Sequence, residues 1–243
     1  MRCRSPFAAG VGALLALWVT LGACGGTGPP LPPLPPLPPP GAEPETDDLR
    51  DALDALDEAD RDSFLIARLR GGGLTPAFGG HFRLASGAVV AFVPGRHPAR
   101  GRELVVAAAP SGPPAAALLE EARLLSARAA FGSAPERTVL VAFLPPRSGP
   151  QGLAAVLDAP LWTDSLTVTV LVAGVDEGGP GYEAVAVARG VPIRLLPTPG
   201  VAVPKDEVVA LALARTVREA VNAAANGAPA APDAQTSAGE DRE

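Results

Sequence analysis

The sequence predicts a single three-layer α/β domain: a twisted, mixed but mostly parallel sheet with helices on both faces. Three observations predict it. Short apolar runs alternate with stretches of helical period, as in Leu104–Ala109 followed by Ala115–Arg128, which is the pattern of βαβ units. The runs are nearly continuous in Ala, Val and Leu, as strands covered on both faces are. The chain has 243 residues, 47% of them apolar, enough for one core of ordinary size. Aromatic residues make up only 4%, so that core must be aliphatic.

The elements follow in order. From Thr46, Leu49, Leu53 and Leu56 fall at i, i+4 and i+7 of a helix, with Asp47, Asp48, Asp51, Asp54 and Asp57 around them. Acids suit a helix start. Their spacing lacks the Gly turn and distal Glu of a calcium loop, so they read as a solvated face. A second helix, Asp62–Arg70, stops at Gly71-Gly72-Gly73. His81–Ala85 and Ala88–Val93 read as two strands joined at Ser86-Gly87, and Glu103–Ala109 as a third. The helix Ala115–Arg128 turns Leu118, Leu119, Ala122 and Leu125 inward. Val139–Phe143 is a strand, Gln151–Leu157 a short helix, Leu166–Val172 a strand, Tyr182–Arg189 a helix and Val191–Leu196 a strand. Asp206–Ala224 closes the domain, which spans residues 46–222. The stretch 223–243 has nothing to bury and reads as disordered.

The N-terminus has its own logic. Arg2 and Arg4 precede an uncharged apolar run, Phe7–Leu21, shorter than the roughly 20 residues of a spanning helix. The run ends in Leu21-Gly22-Ala23-Cys24, which resembles the bacterial lipobox. That resemblance implies a signal peptide over residues 1–23, acylation (diacylglycerol, palmitate) of Cys24 and attachment to a membrane; the alternative is a plain signal peptide. Removal of residues 1–23 takes two positive charges with it. Gly25 lacks the Asp that commonly marks inner-membrane retention, so a cell-envelope location at the outer membrane is expected. Pro29–Pro40, within a linker spanning residues 24–45, can only be polyproline II, a stiff spacer of roughly 35 Å at ~3.1 Å per residue. Its alternative role is as a ligand for a Pro-recognising domain.

Composition excludes several functions. Cys3 and Cys24 are the only cysteines, so the folded part has no disulfide framework and no thiolate metal site. The formal charge is −6 with no evident basic face, which argues against a nucleic-acid partner; the single lysine, Lys205, among many arginines reads as base composition rather than function. No Gly-x-Ser-x-Gly elbow is present, Ser148 has no evident His partner, and Gly71-Gly72-Gly73 precedes no P-loop lysine.

Over Asp62–Asn222 the order of pieces resembles the zinc-dependent aminopeptidase family that includes aminopeptidase Y, aminopeptidase S and the glutaminyl cyclases. Ile66–Arg70 followed by Gly73-Leu74-Thr75-Pro76 resembles the family's first helix and its exit. Val89–Gly95 resembles the strand ending in its Val-x-Pro-Gly turn, and Glu103–Ala109 the strand leading into its Ala-His-x-Asp. Ala115–Glu120 is similar to its Gly-x-Ala-Ala-Leu-Leu-Glu helix, Arg137–Phe143 to the strand before its Glu-Glu pair, and Gly190-Val191-Pro192 to a late strand entry. The resemblance implies a zinc-exopeptidase-like fold in truncated form.

Carried over residue by residue, the family's site disappears. The first metal His falls on Pro110 and the neighbouring Asp on Gly112. The catalytic Glu falls on Pro146, the ligand Glu on Arg147, and the next Asp ligand on Ala173. A catalytic zinc needs about three protein ligands; the folded part offers only His81 and His97, both before the third strand. Glu120-Glu121 lies within a helix, where a base would point along the scaffold. The expectation is therefore a lipoprotein with no metal, no cofactor and no catalytic residue, its aminopeptidase-like domain serving as a binding or assembly module for an envelope protein or peptide. One alternative is a metal-dependent hydrolase with a site rebuilt from His81 or His97 with Asp176 or Glu177. The other is a structural envelope lipoprotein.

Overall fold

The structure is a computed structural model that describes residues 42–44, 46–57, 60–77, 80–159, 167–176, 179, 181–200 and 205–227. The apolar run Phe7–Leu21, Cys24, the proline segment and the stretch 228–243 lie outside the described residues. Among the described residues no helix is long and apolar enough to cross a membrane.

Among the described residues six strands form one sheet in the order β1-β2-β4-β3-β5-β6: β1 (Thr75–Pro76), β2 (Val89–Val93), β3 (Leu104–Ala109), β4 (Thr138–Phe143), β5 (Thr167–Ala173) and β6 (Ile193–Leu196). The pairings β4–β3, β3–β5 and β5–β6 are parallel, while β1–β2 and β2–β4 are antiparallel. Every residue of β3 and β4 is buried, the signature of central strands covered on both faces.

The side chains alternate between two cores. Val105, Ala107 and Ala109 of β3 meet α1 (Thr46–Leu56), α2 (Arg61–Gly71), α3 (Pro113–Ala130) and α6 (Asp206–Asn226) on one face. Leu104, Val106 and Ala108 face α4 (Gly149–Leu157) and α5 (Tyr182–Val187) on the other. The three-layer α/β architecture with a mixed sheet is thus present.

Several boundaries differ from expectation. The strand expected at His81–Ala85 is reduced to an antiparallel bridge, Arg83 to Val89. The reason is that β2's outer edge is shared: Thr75 and Pro76 pair with Phe92 and Ala91, leaving only the other end for Phe82 and Arg83. Helix α3 begins at Pro113 rather than Ala115, because proline suits the first turn, where its missing N–H is no loss. Helix α6 runs on to Asn226, beyond the expected Ala224. Its last carbonyls are held by Arg137, whose Nη1 donates to Ala224 O at 2.5 Å and Gly227 O at 2.8 Å, a favourable place for a cation. The packed body also begins before Thr46: Pro44 is buried, and Arg218 donates to Ala42 O at 3.2 Å and pairs with Glu43 at 3.0 Å.

Candidate cleft at the carboxyl ends of the central strands

In an open α/β sheet, ligands bind beyond the carboxyl ends of the parallel strands. Here that rim is built by the turns after β3, β4 and β5. After β3, Pro110, Ser111 and Gly112 lead into α3, with Gly112 at φ 78° before Pro113. After β4, the parallel pairing extends one residue further, Leu144 N–H donating to Ala109 O at 2.9 Å. Pro145 and the exposed Pro146 and Arg147 follow, and the Ser148 hydroxyl donates back to Pro145 O at 2.7 Å. Arg147 is the only non-glycine with positive φ among the described residues, at 62°. Such a backbone costs a β-carbon-bearing residue about 1–2 kcal/mol.

The two halves of the rim differ. Beyond β5, Ala173 is buried, and a β-carbon on Gly174 would lie 2.1 Å from Pro114 Cγ. That half is filled by the start of α3. Beside the turns of β3 and β4 the rim is open, forming a cleft of about 630 Å³ lined by Arg61, Arg83, Arg147 and three aspartates, Asp57, Asp60 and Asp62. Ser111 and Pro146 contribute to the same wall.

Arg61 is the residue that sequence reasoning missed. It opens α2, is 5% exposed, and spans from that helix to the sheet by donating Nη2 to Leu144 O at 3.0 Å. Its Nη1 donates to Asp62 Oδ1 at 3.3 Å, and its Nε is buried with no hydrogen-bond partner among the described residues. Burial pulls the Arg61 guanidinium below its ordinary value, with the adjacent Asp62 opposing that shift. An arginine in a helix's first turn runs against the helix dipole. That misplacement is the signal by which the sequence could have marked Arg61.

The residues singled out from sequence are placed as follows. Pro110, Gly112, Pro146 and Arg147 lie in the turns beyond β3 and β4, and Ala173 ends β5. His81 and Asp176 are exposed, and Glu177 lies outside the described residues. His97 is also exposed, and its Nδ1 accepts the backbone N–H groups of Ala99 and Arg100 at 3.2 and 3.1 Å, ordering its own turn. Glu120 and Glu121 are both buried in α3 and engaged by arginines. Glu120 is gripped by Arg123 at 2.7 and 2.9 Å, and Glu121 by Arg128 and by Arg218 Nε at 3.0 Å. Desolvation pushes the Glu121 carboxyl up despite those two arginines.

The zinc that the resemblance implies does not fit the donors present. Pro110, Gly112, Pro146 and Ala173 carry no side-chain ligand atom, and Arg147 is a cation. Among the described residues no group of three or more His, Cys, Asp or Glu is close enough to hold a metal ion.

Comparison with known proteins gives structural likeness at low identity. No protein-family model matches the chain, and no curated protein matches it. An aminopeptidase from Aneurinibacillus sp. strain AM-1 is 16% identical, with a TM-score of 0.42 over 58% of this chain and 48% of that one. A protein from Bacteroides vulgatus described as a zinc-dependent exopeptidase is 13% identical, with a TM-score of 0.49 over 74% of this chain and 97% of that one. The chain therefore spans about half the length of the Aneurinibacillus enzyme, 48% of it.

Proposed function

We propose that this chain is a lipid-anchored envelope protein whose exopeptidase-like domain binds a ligand at the rim of its sheet without hydrolysing it. One observation carries the reading: the exposed Arg147 stands at the end of β4, backed by the buried Arg61. A guanidinium where the resemblance calls for a metal-ligating carboxylate inverts the local charge. At that turn it offers a divalent cation no lone pair and adds a positive charge, although the cleft as a whole carries three arginines and three aspartates. Pro146 beside it has no group to move a proton. The turn after β3, reduced to Pro110-Ser111-Gly112, likewise offers no acid.

The full chain, purified in detergent, tests this directly. The expected result is zinc well below one equivalent by elemental analysis and no release of p-nitroaniline from aminoacyl p-nitroanilides, with or without added zinc. Stoichiometric zinc accompanied by hydrolysis overturns the proposal. The anchor is tested separately by mass spectrometry. Chains beginning at a diacylglyceryl-modified Cys24 support it, and processing that continues unchanged in Cys24→Ser removes it.

A further inference from the structure

The chain is acidic overall, at a formal charge of −6, yet the end of the sheet opposite the rim is basic. There the connection between β2 and β3, residues 94–103, carries Arg96, His97, Arg100 and Arg102. It lies on the segment that leads into β4: Arg96 and His97 donate their backbone N–H groups to Pro135 O at 2.8 Å and Glu136 O at 3.3 Å. Both acids at this end are taken. Glu136 accepts from Arg100 at 2.6 Å, and Glu103 is paired with the buried Arg137. The adjoining residues 131–135 and the end of α6 from Ala220 to Asn226 contain no charged side chain. Arg96 and Arg102 are exposed and make no ion pair among the described residues.

The same end is where the chain leaves α6. Glu136 N–H donates to Asn226 Oδ1 at 3.1 Å, and Arg137 Nη1 holds Gly227 O at 2.8 Å. Beside it, Arg137 Nη2 is buried with no hydrogen-bond partner among the described residues. A donor out of reach of solvent calls for an acceptor from the chain itself. The chain continues into residues 228–243, where Asp233, Glu240, Asp241 and Glu243 stand against Arg242 alone. At up to ~3.5 Å per residue, that length can return its acidic end to the loop. A single exposed ion pair is weak, but attachment to the same chain raises the local concentration to about the millimolar range. We propose that Glu240, Asp241 and Glu243 dock on the basic loop at Arg96 and Arg102. An outside anion then meets the loop only by displacing them.

The experiment is carbodiimide coupling of amines to carboxylates in the full chain in detergent, read by peptide mass spectrometry. Lys205 is the only native lysine, so Arg96→Lys and Arg102→Lys, made separately, each add one traceable amine while keeping the charge. The comparison variant is Ser133→Lys, at an exposed position near the same exit but off the loop. The two loop amines are expected to couple to Glu240, Asp241 or Glu243 about fivefold more than the comparison amine, the gain that docking adds to mere tethering. That excess should vanish in about 0.5 M sodium chloride, where screening acts within a few ångströms. Coupling no greater than in Ser133→Lys overturns the proposal, and so does an excess that salt leaves unchanged. Mixing isotopically heavy and light chains separates links within a chain from links between chains. Links found only between chains overturn it as well, as do loop amines that couple to Glu103 and Glu136 alone.

Discussion

Two arginine clusters in this molecule make a useful contrast. In the helical layer, Arg123 grips Glu120 and reaches Asp48 of α1 at 3.0 Å, while Arg128 and Arg218 divide the two oxygens of Glu121 between them. At the rim, Arg61 and Arg83 each take one oxygen of Asp62, and Arg147 makes no ion pair among the described residues. The first cluster is matched charge for charge and ties α1, α3 and α6 together. The second leaves Arg147, Asp57 and Asp60 without an ion pair among the described residues. Complete pairing marks charge used for architecture, whereas at the rim three arginines and three aspartates share one cleft in which Asp62 is the paired acid among the described residues.

The sharpest way to break the contrast is Glu121→Ala. It strands Arg128 and Arg218, and removing one partner of a buried ion pair costs about 3 kcal/mol or more, read by denaturant unfolding. A loss below about 1 kcal/mol, the scale of an exposed pair, would mean that the helical network is ornamental. Gly174→Ala comes next. Its β-carbon would meet Pro114 Cγ at 2.1 Å from a backbone at φ 69°, so about 2 kcal/mol of stability should go. Near-parental stability would mean that the filled half of the rim can give way.

A pH series sharpens the comparison. Because burial raises the Glu121 pKa above the ordinary 4.5, the folded state holds that proton more tightly than the unfolded one. Stability from this group is therefore fully present below about 4.5 and is lost as pH rises through the folded value, at a slope of at most about 1.4 kcal/mol per pH unit. Glu121→Gln, which cannot ionise, should lack this component. The parent-minus-variant stability difference should then fall with rising pH in that window; a flat difference refutes the assignment. The smallest effect is expected for Arg147→Gly. Relief of the left-handed backbone, offset by glycine's greater freedom when unfolded, should leave the protein more stable by about 0.5 kcal/mol. A clear loss would mean that Arg147 supports the fold.

The central sheet was legible because β3 and β4 are uninterrupted apolar runs between turn signals, and their burial on both faces follows from composition alone. The edge was not. Thr75-Pro76 looks like a helix exit, and nothing local reveals that it pairs with β2 alongside the short arm at Phe82 and Arg83. The turn positions Pro110, Pro146 and Arg147 were readable as strand ends, because each follows directly on an apolar run. The opening beside them was not, since it is completed by Arg61, which lies 83 residues from the Leu144 carbonyl it binds. Periodicity also hid the use of Glu120 and Glu121. The acids are held by Arg123 and Arg128 of the same helix and by Arg218 of α6, and the last of these is brought in only by tertiary packing.

The contact of Arg218 with Ala42 and Glu43 has a practical consequence for handling the protein. A deletion ending at residue 41 keeps both partners of that guanidinium, whereas one ending at residue 45 strips them away and uncovers the space under Pro44. Trimming only a few residues too far would therefore loosen α6 at the point where Arg218 also holds Glu121.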